Sequence, residues 1–148
     1  QRGSSMTFTN GIIIMIGGAL GTLARYAISV AALPISGRLP WGAIIINITG
    51  SMVIGFFGTL TLGNGRYPAS EAVRLFVMIG LCGGFTTFSS FSLQTLDLLR
   101  TGSVTRAAVS VGASVILCIA AVALGHIVAS HLNGGAARIA RLSIEEDG

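Results

Sequence analysis

Residues 80–92 read GLCGGFTTFSSFS. Three glycines, Gly80, Gly83 and Gly84, precede five hydroxyl residues, Thr86, Thr87, Ser89, Ser90 and Ser92, with Phe88 and Phe91 among them. This run lies inside Leu75–Leu96, a stretch without a single charge. A helix facing lipid gains nothing from so much polarity at mid-depth. Glycine pairs beside hydroxyls let a membrane helix unwind, because side-chain oxygens satisfy the freed backbone groups. Close packing through small residues accounts for the glycines but not for the hydroxyls. The spacing therefore predicts a membrane span that is broken near its middle.

Three further apolar stretches surround it. Gly11–Leu33 carries one charge, Arg25; Trp41–Gly63 carries none; Ala107–Leu132 has His126 and, near its end, His131. Each is longer than the ~20 residues that a helix needs to cross hydrocarbon, and all are too continuous for the ~10-residue strands of a barrel. The fold class expected is an all-α membrane protein of four transmembrane helices, in one domain over 6–132. Residues 1–5 read as an expression leftover ahead of Met6, and 133–148 as a polar tail. The connectors hold Pro34, Gly37, Pro40, Gly65, Pro68 and Gly102 and are short enough to make consecutive helices antiparallel.

Bulk composition agrees. Only 9% of the 148 residues are charged and 52% are apolar, against roughly 25% charged in soluble domains. Mean hydropathy is +0.83. The expected location is the inner (plasma) membrane, crossed several times. All nine basic residues are arginines, spread singly along the chain. A nucleic-acid surface needs them clustered, so no nucleic-acid partner is expected. Apart from the presumed leftover, the side of both termini has Arg66, Arg74, Arg138 and Arg141, and the opposite side Arg38, Arg100 and Arg106. Arginine bias sets orientation; with four against three, either one arginine decides it or the chain inserts both ways.

The polar residues within the spans narrow the chemistry. Gly17, Gly21 and Arg25 share a helix face by their four-residue spacing; Arg25 either snorkels to the interface or acts in function. Asn47 brings an amide with two N–H donors, fit for an interhelical hydrogen bond or for an anion losing its water. Ser110, Ser114 and Cys118 form a stripe that suits a helix contact or a pore wall. Phe88 and Phe91 can offer an anion their positive ring edges. Cys82 and Cys118 lack metal-ligand spacing and read as small buried hydrophobes. The spans hold no carboxylate except Asp97 at the end of the third, where proton-coupled carriers place theirs. No nucleophile–base pair appears, so an enzyme is not expected. The set suits a small anion that moves passively.

GGALGTLARY (17–26), WGAIIINITGS (41–51) and GLCGGFTTFSSFS (80–92) closely resemble, in order, the signature stretches of the CrcB/Fluc fluoride channels. The resemblance implies an antiparallel dual-topology homodimer with two fluoride pores and a structural sodium ion at the dimer interface. It implies that backbone carbonyls of Gly83 and Thr86 hold the sodium, that Asn47, Phe88, Phe91, Ser110 and Ser114 line the pore, and that Arg25 is the family's first-helix arginine. Gln94, Ala43 and Cys118 depart from it, standing where many members have glutamate, and some have threonine and serine. A small-multidrug-type transporter is the rival reading, but it needs an acidic residue in the first helix, where this chain has Arg25. A non-transporting membrane assembly protein is another.

Overall fold

The computed structural model describes residues 6–134. The leftover expected over 1–5, and Arg138, Arg141 and the rest of the tail from 135 on, lie outside the described residues. Four apolar helical spans cross the bundle, and the described residues contain no strand. Helix α1 is Phe8–Ala31, α2 is Trp41–Leu60, and the third span, Glu71–Arg100, divides into α3 (71–85) and α4 (Phe88–Arg100). Helix α5 is Val104–Leu132.

Local chemistry sets the ends. The Thr7 hydroxyl accepts from Asn10 N at 3.2 Å and so caps α1, which begins three residues before its apolar run. Ser70 does the same for α3 through Val73 N, at 3.3 Å. Each hydroxyl satisfies one of the backbone donors that a helix start leaves open. Glu71 and Arg74, outside the apolar stretch read from the sequence, form the first turn of this span. Arg74 reaches across to Gly58 O at 3.1 Å and to the Thr61 hydroxyl, and so closes the C-terminal end of α2 with a cation. Gly102 turns the chain from α4 to α5 at φ +79°, where a side chain would strain the backbone.

Two parallel glycine seams build the bundle. In the first, a Cβ on Gly17 would lie 2.6 Å from Phe76 O, and one on Gly80 would lie 2.9 Å from Ile14 O; Gly84 meets the backbone of Gly18. In the second, α2 and α5 run side by side in a register of 67 residues. Thr59 meets His126 and the Arg66 N–H meets Asn133, while Gly55 touches the backbone of Val122. Contact this close replaces lipid with dense packing, the main source of helix adhesion in a bilayer. Ile44 and Ile46 fill the centre, each 1% exposed.

Part of the third span departs from a plain rod before its break. Leu75–Leu81 winds as a π-helix, where Gly17 presses on Phe76 O and Gly80. Nothing in the apolar pattern of the sequence signals this wider winding.

Candidate functional site: the break in the third span

Helix α3 stops at Phe85. Thr86 and Thr87 are extended, at φ −78°, ψ 156° and φ −148°, ψ 114°, and α4 resumes at Phe88. The expected interruption is present and is two residues long. Thr86 closes the last turn twice, its N–H donating to Cys82 O at 2.9 Å and its hydroxyl at 3.0 Å. Thr87 opens the next helix, its hydroxyl accepting from Ser90 N at 3.2 Å. These two threonines explain why a hydroxyl pair follows the glycines.

Asn47 supports the break from α2. Its Nδ2–H donates to Thr87 O at 3.1 Å, and its Oδ1 accepts the Thr87 N–H at 2.9 Å. The sequence offered an interhelical bond or an anion contact for this amide. The first is formed, and it uses one of the two N–H groups that were counted for an anion; the second N–H has no partner among the described residues. Because the Thr87 N–H turns to Asn47, Gly83 O loses the donor that would have closed its turn and has no partner among the described residues. Gly83 lies on the surface of the single chain, with open space where a Cβ would point. Gly84 O, by contrast, accepts from the Thr22 hydroxyl at 3.4 Å.

A cavity of about 360 Å³ opens beside the break and gathers Asn47, Gly83, Thr86, Phe88, Phe91 and Ser114. Of the residues expected at the site, six therefore share one space. Phe91 is 9% exposed and Phe88 is 79% exposed, so one ring belongs to the interior and the other stands on the outer face of the chain. Their centroids are 5.5 Å apart with planes tilted by 48°. Ser114 Oγ is buried without a partner, and so is Ser110 Oγ one turn earlier on a residue that is 0% exposed. Ser110 is enclosed beside the cavity, not part of its wall. An unpaired buried hydroxyl is costly, and these two lie on one stripe of α5.

A second cavity, about 670 Å³, lies on the other side of Thr87 and holds Arg25, Ser90, Gln94, Asp97 and Ala43. Arg25 Nε and Gln94 Oε1 are buried there with no partner. Arg25 is half-buried, with its Nε enclosed against this cavity. Thr87 lines both cavities. Thr87 is thus common to the two spaces, one of which holds the arginine and the other the phenylalanines. Thr87 and Thr22 were not singled out as site residues from sequence. The second of two threonines after Gly-Gly-Phe, and one beside Gly21, were the available signals. The three departing positions all fall here, Gln94 and Ala43 in the larger cavity and Cys118 in the smaller.

Four apolar spans, a broken helix and two cavities that share Thr87 at the break define a small multi-pass membrane protein. The family model described as CrcB-like protein, Camphor Resistance (CrcB), matches residues 12–126. A protein of Methylobacterium radiotolerans named fluoride-specific ion channel FluC is 72% identical over 143 residues, which is 97% of this chain and all of that protein. A protein of Gluconobacter oxydans with the same name is 69% identical over 143 residues, 96% of this chain and 99% of that one. A third so named, from Opitutus terrae, is 51% identical over 123 residues, covering 82% and 93%. The chain belongs to the CrcB-like family, whose named members here are channels and not enzymes.

Proposed function

We propose that the chain is a passive channel selective for fluoride, and that it lowers cytoplasmic fluoride by letting the ion leave through the inner membrane. The observation that carries this reading is the break at Thr86–Thr87 held by Asn47. It sets hydroxyl and open backbone groups in the middle of an apolar span, between two cavities that share Thr87, without placing one carboxylate at the break. Fluoride is small and tightly hydrated, so a selective route has to replace its water with donors at each step. The free Asn47 N–H, the Ser114 hydroxyl and the edges of Phe88 and Phe91 are weak donors in series, which permits both entry and exit. Arg25 raises the potential of the larger cavity and attracts anions to it. The names of the relatives supply the identity of the anion.

The working unit in this reading is a homodimer of oppositely inserted copies with two pores. Two features support it: the near-even arginine count across the bilayer, and the exposure of Phe88 and Gly83, which a second copy would cover. Gly83 O and the carbonyl of extended Thr86 fit a hard cation at that interface, since the first lacks a donor and both belong to the interrupted segment. A sodium ion held there would supply fixed positive charge beside the pores and join the two broken spans. The first helix carries Arg25 and no acid, which disfavours the drug-exporter reading.

A bacterial strain stripped of its own fluoride exporter tests the proposal. Production of this chain restores growth in fluoride, and the Asn47→Ala variant, inserted in the membrane at equal amount, does not. Growth that stays arrested with the folded chain present would overturn it, and equal rescue by the variant would overturn the role given to Asn47.

A further inference from the structure

The π-wound stretch Leu75–Leu81 is separated from the break only by Cys82–Phe85. The Cys82 N–H closes it on Val77 O, an i→i+5 bond. Its contacts on two sides show where each face points. Toward α1, a Cβ on Gly17 would lie 2.6 Å from Phe76 O and 3.1 Å from Leu81 N, and Gly21 meets Leu81 O and Phe85 N. Toward α2, Met78 stands at Gly58 and Thr86 at Gly50, with Cys82 between them in the wall of the smaller cavity. Winding sets how straight that second face is. An α-helix turns about 100° per residue, so a four-residue ladder drifts by about 80° in two steps. A π-helix bonds i to i+5 and turns about 82° per residue. Four π residues followed by four α residues bring the ladder back to within about 10° of its start. Over Leu75–Leu81, seven π residues turn the chain about 570°, close to the roughly 600° of six α residues and about 125° short of seven.

We infer that Leu75–Leu81 contains one residue more than an α-helix needs between the Ser70 cap and the break, and that the π winding, by taking up this residue, aims the break. It holds Thr86 on Gly50 and brings Thr87 to Asn47. The same count wound as α would swing both threonines about 125° around the axis of the span. The two backbone groups of Thr87 would then lose the Asn47 amide that pairs with them. Gly84, which lies against the backbone of Gly18, would give way there to a residue with a side chain. A π turn within an α-helix is rare and stands frequently at functional sites. Here it acts at a distance, as a positioning element for the polar groups at the break.

Single-residue deletions test this. In a Cys118→Ser chain, where Cys82 is the one thiol left, deletion of Val77 leaves six residues that wind as α and keep the break in place. The purified variant gives a single gel-filtration peak and melts within a few degrees of its parent. Cys82, 4% exposed, reacts with maleimide at a rate within about twofold of the parent's. Deletion of Ile79 gives the same result at a second site. Deletion of Val53 from the plain helix α2 turns one half of that helix by about 100° against the other, and the protein aggregates. An alanine inserted after Val77 turns the break by about 80°; the protein aggregates or its Cys82 labels at least about tenfold faster. Aggregation of both the Val77 and the Ile79 deletions, or Cys82 labelling in them as fast as in a folded insertion, would overturn the inference. So would an insertion or a Val53 deletion tolerated as well as they are. A flux arm rests on the fluoride reading: the Val77 deletion discharges fluoride from liposomes within about threefold of its parent. Loss of flux in the folded deletion overturns the aim given to the winding. A parent that carries no fluoride counts against the channel, and the folding arm then decides.

Discussion

Asn47 and Thr87, forty residues apart in sequence, hold each other through two reciprocal hydrogen bonds of 2.9 and 3.1 Å. One amide thus takes both backbone groups of a residue that has left the helix. Removal of the amide leaves a buried N–H and a buried C=O open. Asn47→Ala is expected to lower stability by about 1–3 kcal/mol, read as a lower midpoint of thermal aggregation in detergent. Its fluoride flux in liposomes falls by at least about tenfold, the equivalent of 1.4 kcal/mol in barrier.

Ser110 and Ser114 separate function from stability. Their hydroxyls are buried and unpaired, so a change to alanine removes an unsatisfied group and leaves stability level or raises it by up to about 1 kcal/mol. Flux through Ser114→Ala falls about tenfold, if its hydroxyl serves the ion as one hydrogen bond, while Ser110→Ala, enclosed away from the cavity wall, leaves flux unchanged. Paired measurements of melting and efflux on the two variants check both signs.

The glycine seams predict a sharp contrast between positions. Gly17→Ala forces a Cβ to 2.6 Å from Phe76 O, so α1 and α3 must separate, and the purified protein aggregates or melts several degrees lower. Gly112 has nothing within 4 Å of the same added atom. Gly112→Ala therefore stabilises α5 by about 0.5–1 kcal/mol through helix propensity, seen as a small rise in the same midpoint.

Phe91 tests the ring-edge argument. The side chain is buried against the cavity, and Phe91→Leu keeps an apolar group of similar bulk while the positive ring edge is lost. The variant is expected to remain folded with a melting point close to wild type, and its fluoride flux to drop by about tenfold or more.

The four spans and the break were legible in the sequence because lipid imposes a strict rule on backbone polarity. An uncharged run long enough to cross had to be helical, and GGFTTFSS inside one had to open. The pairing of Asn47 with Thr87 was not legible: an amide shows that it needs a partner but not which one, and this partner is main chain. Helix ends were read short at Gly11 and Leu75, since Thr7 and Ser70 cap beyond the apolar edge. Arg74 was counted as a loop charge although it belongs to the third span, where its partners on α2 lie 13 to 16 residues away. The π-helical winding of Leu75–Leu81 lies against Gly17, a tertiary neighbour that no local pattern carries. Arg25 showed its helix face, but only the fold showed that it meets Gln94 in one cavity.

The central claim is that the chain carries fluoride past the break at Thr87, and little else. Liposomes loaded with fluoride and chloride together, and containing the purified wild-type chain, test it with ion-selective electrodes in one trial. The expected result is rapid discharge of fluoride while chloride stays inside. Retention of both ions by correctly folded protein, or release of the two at equal rates, would contradict it.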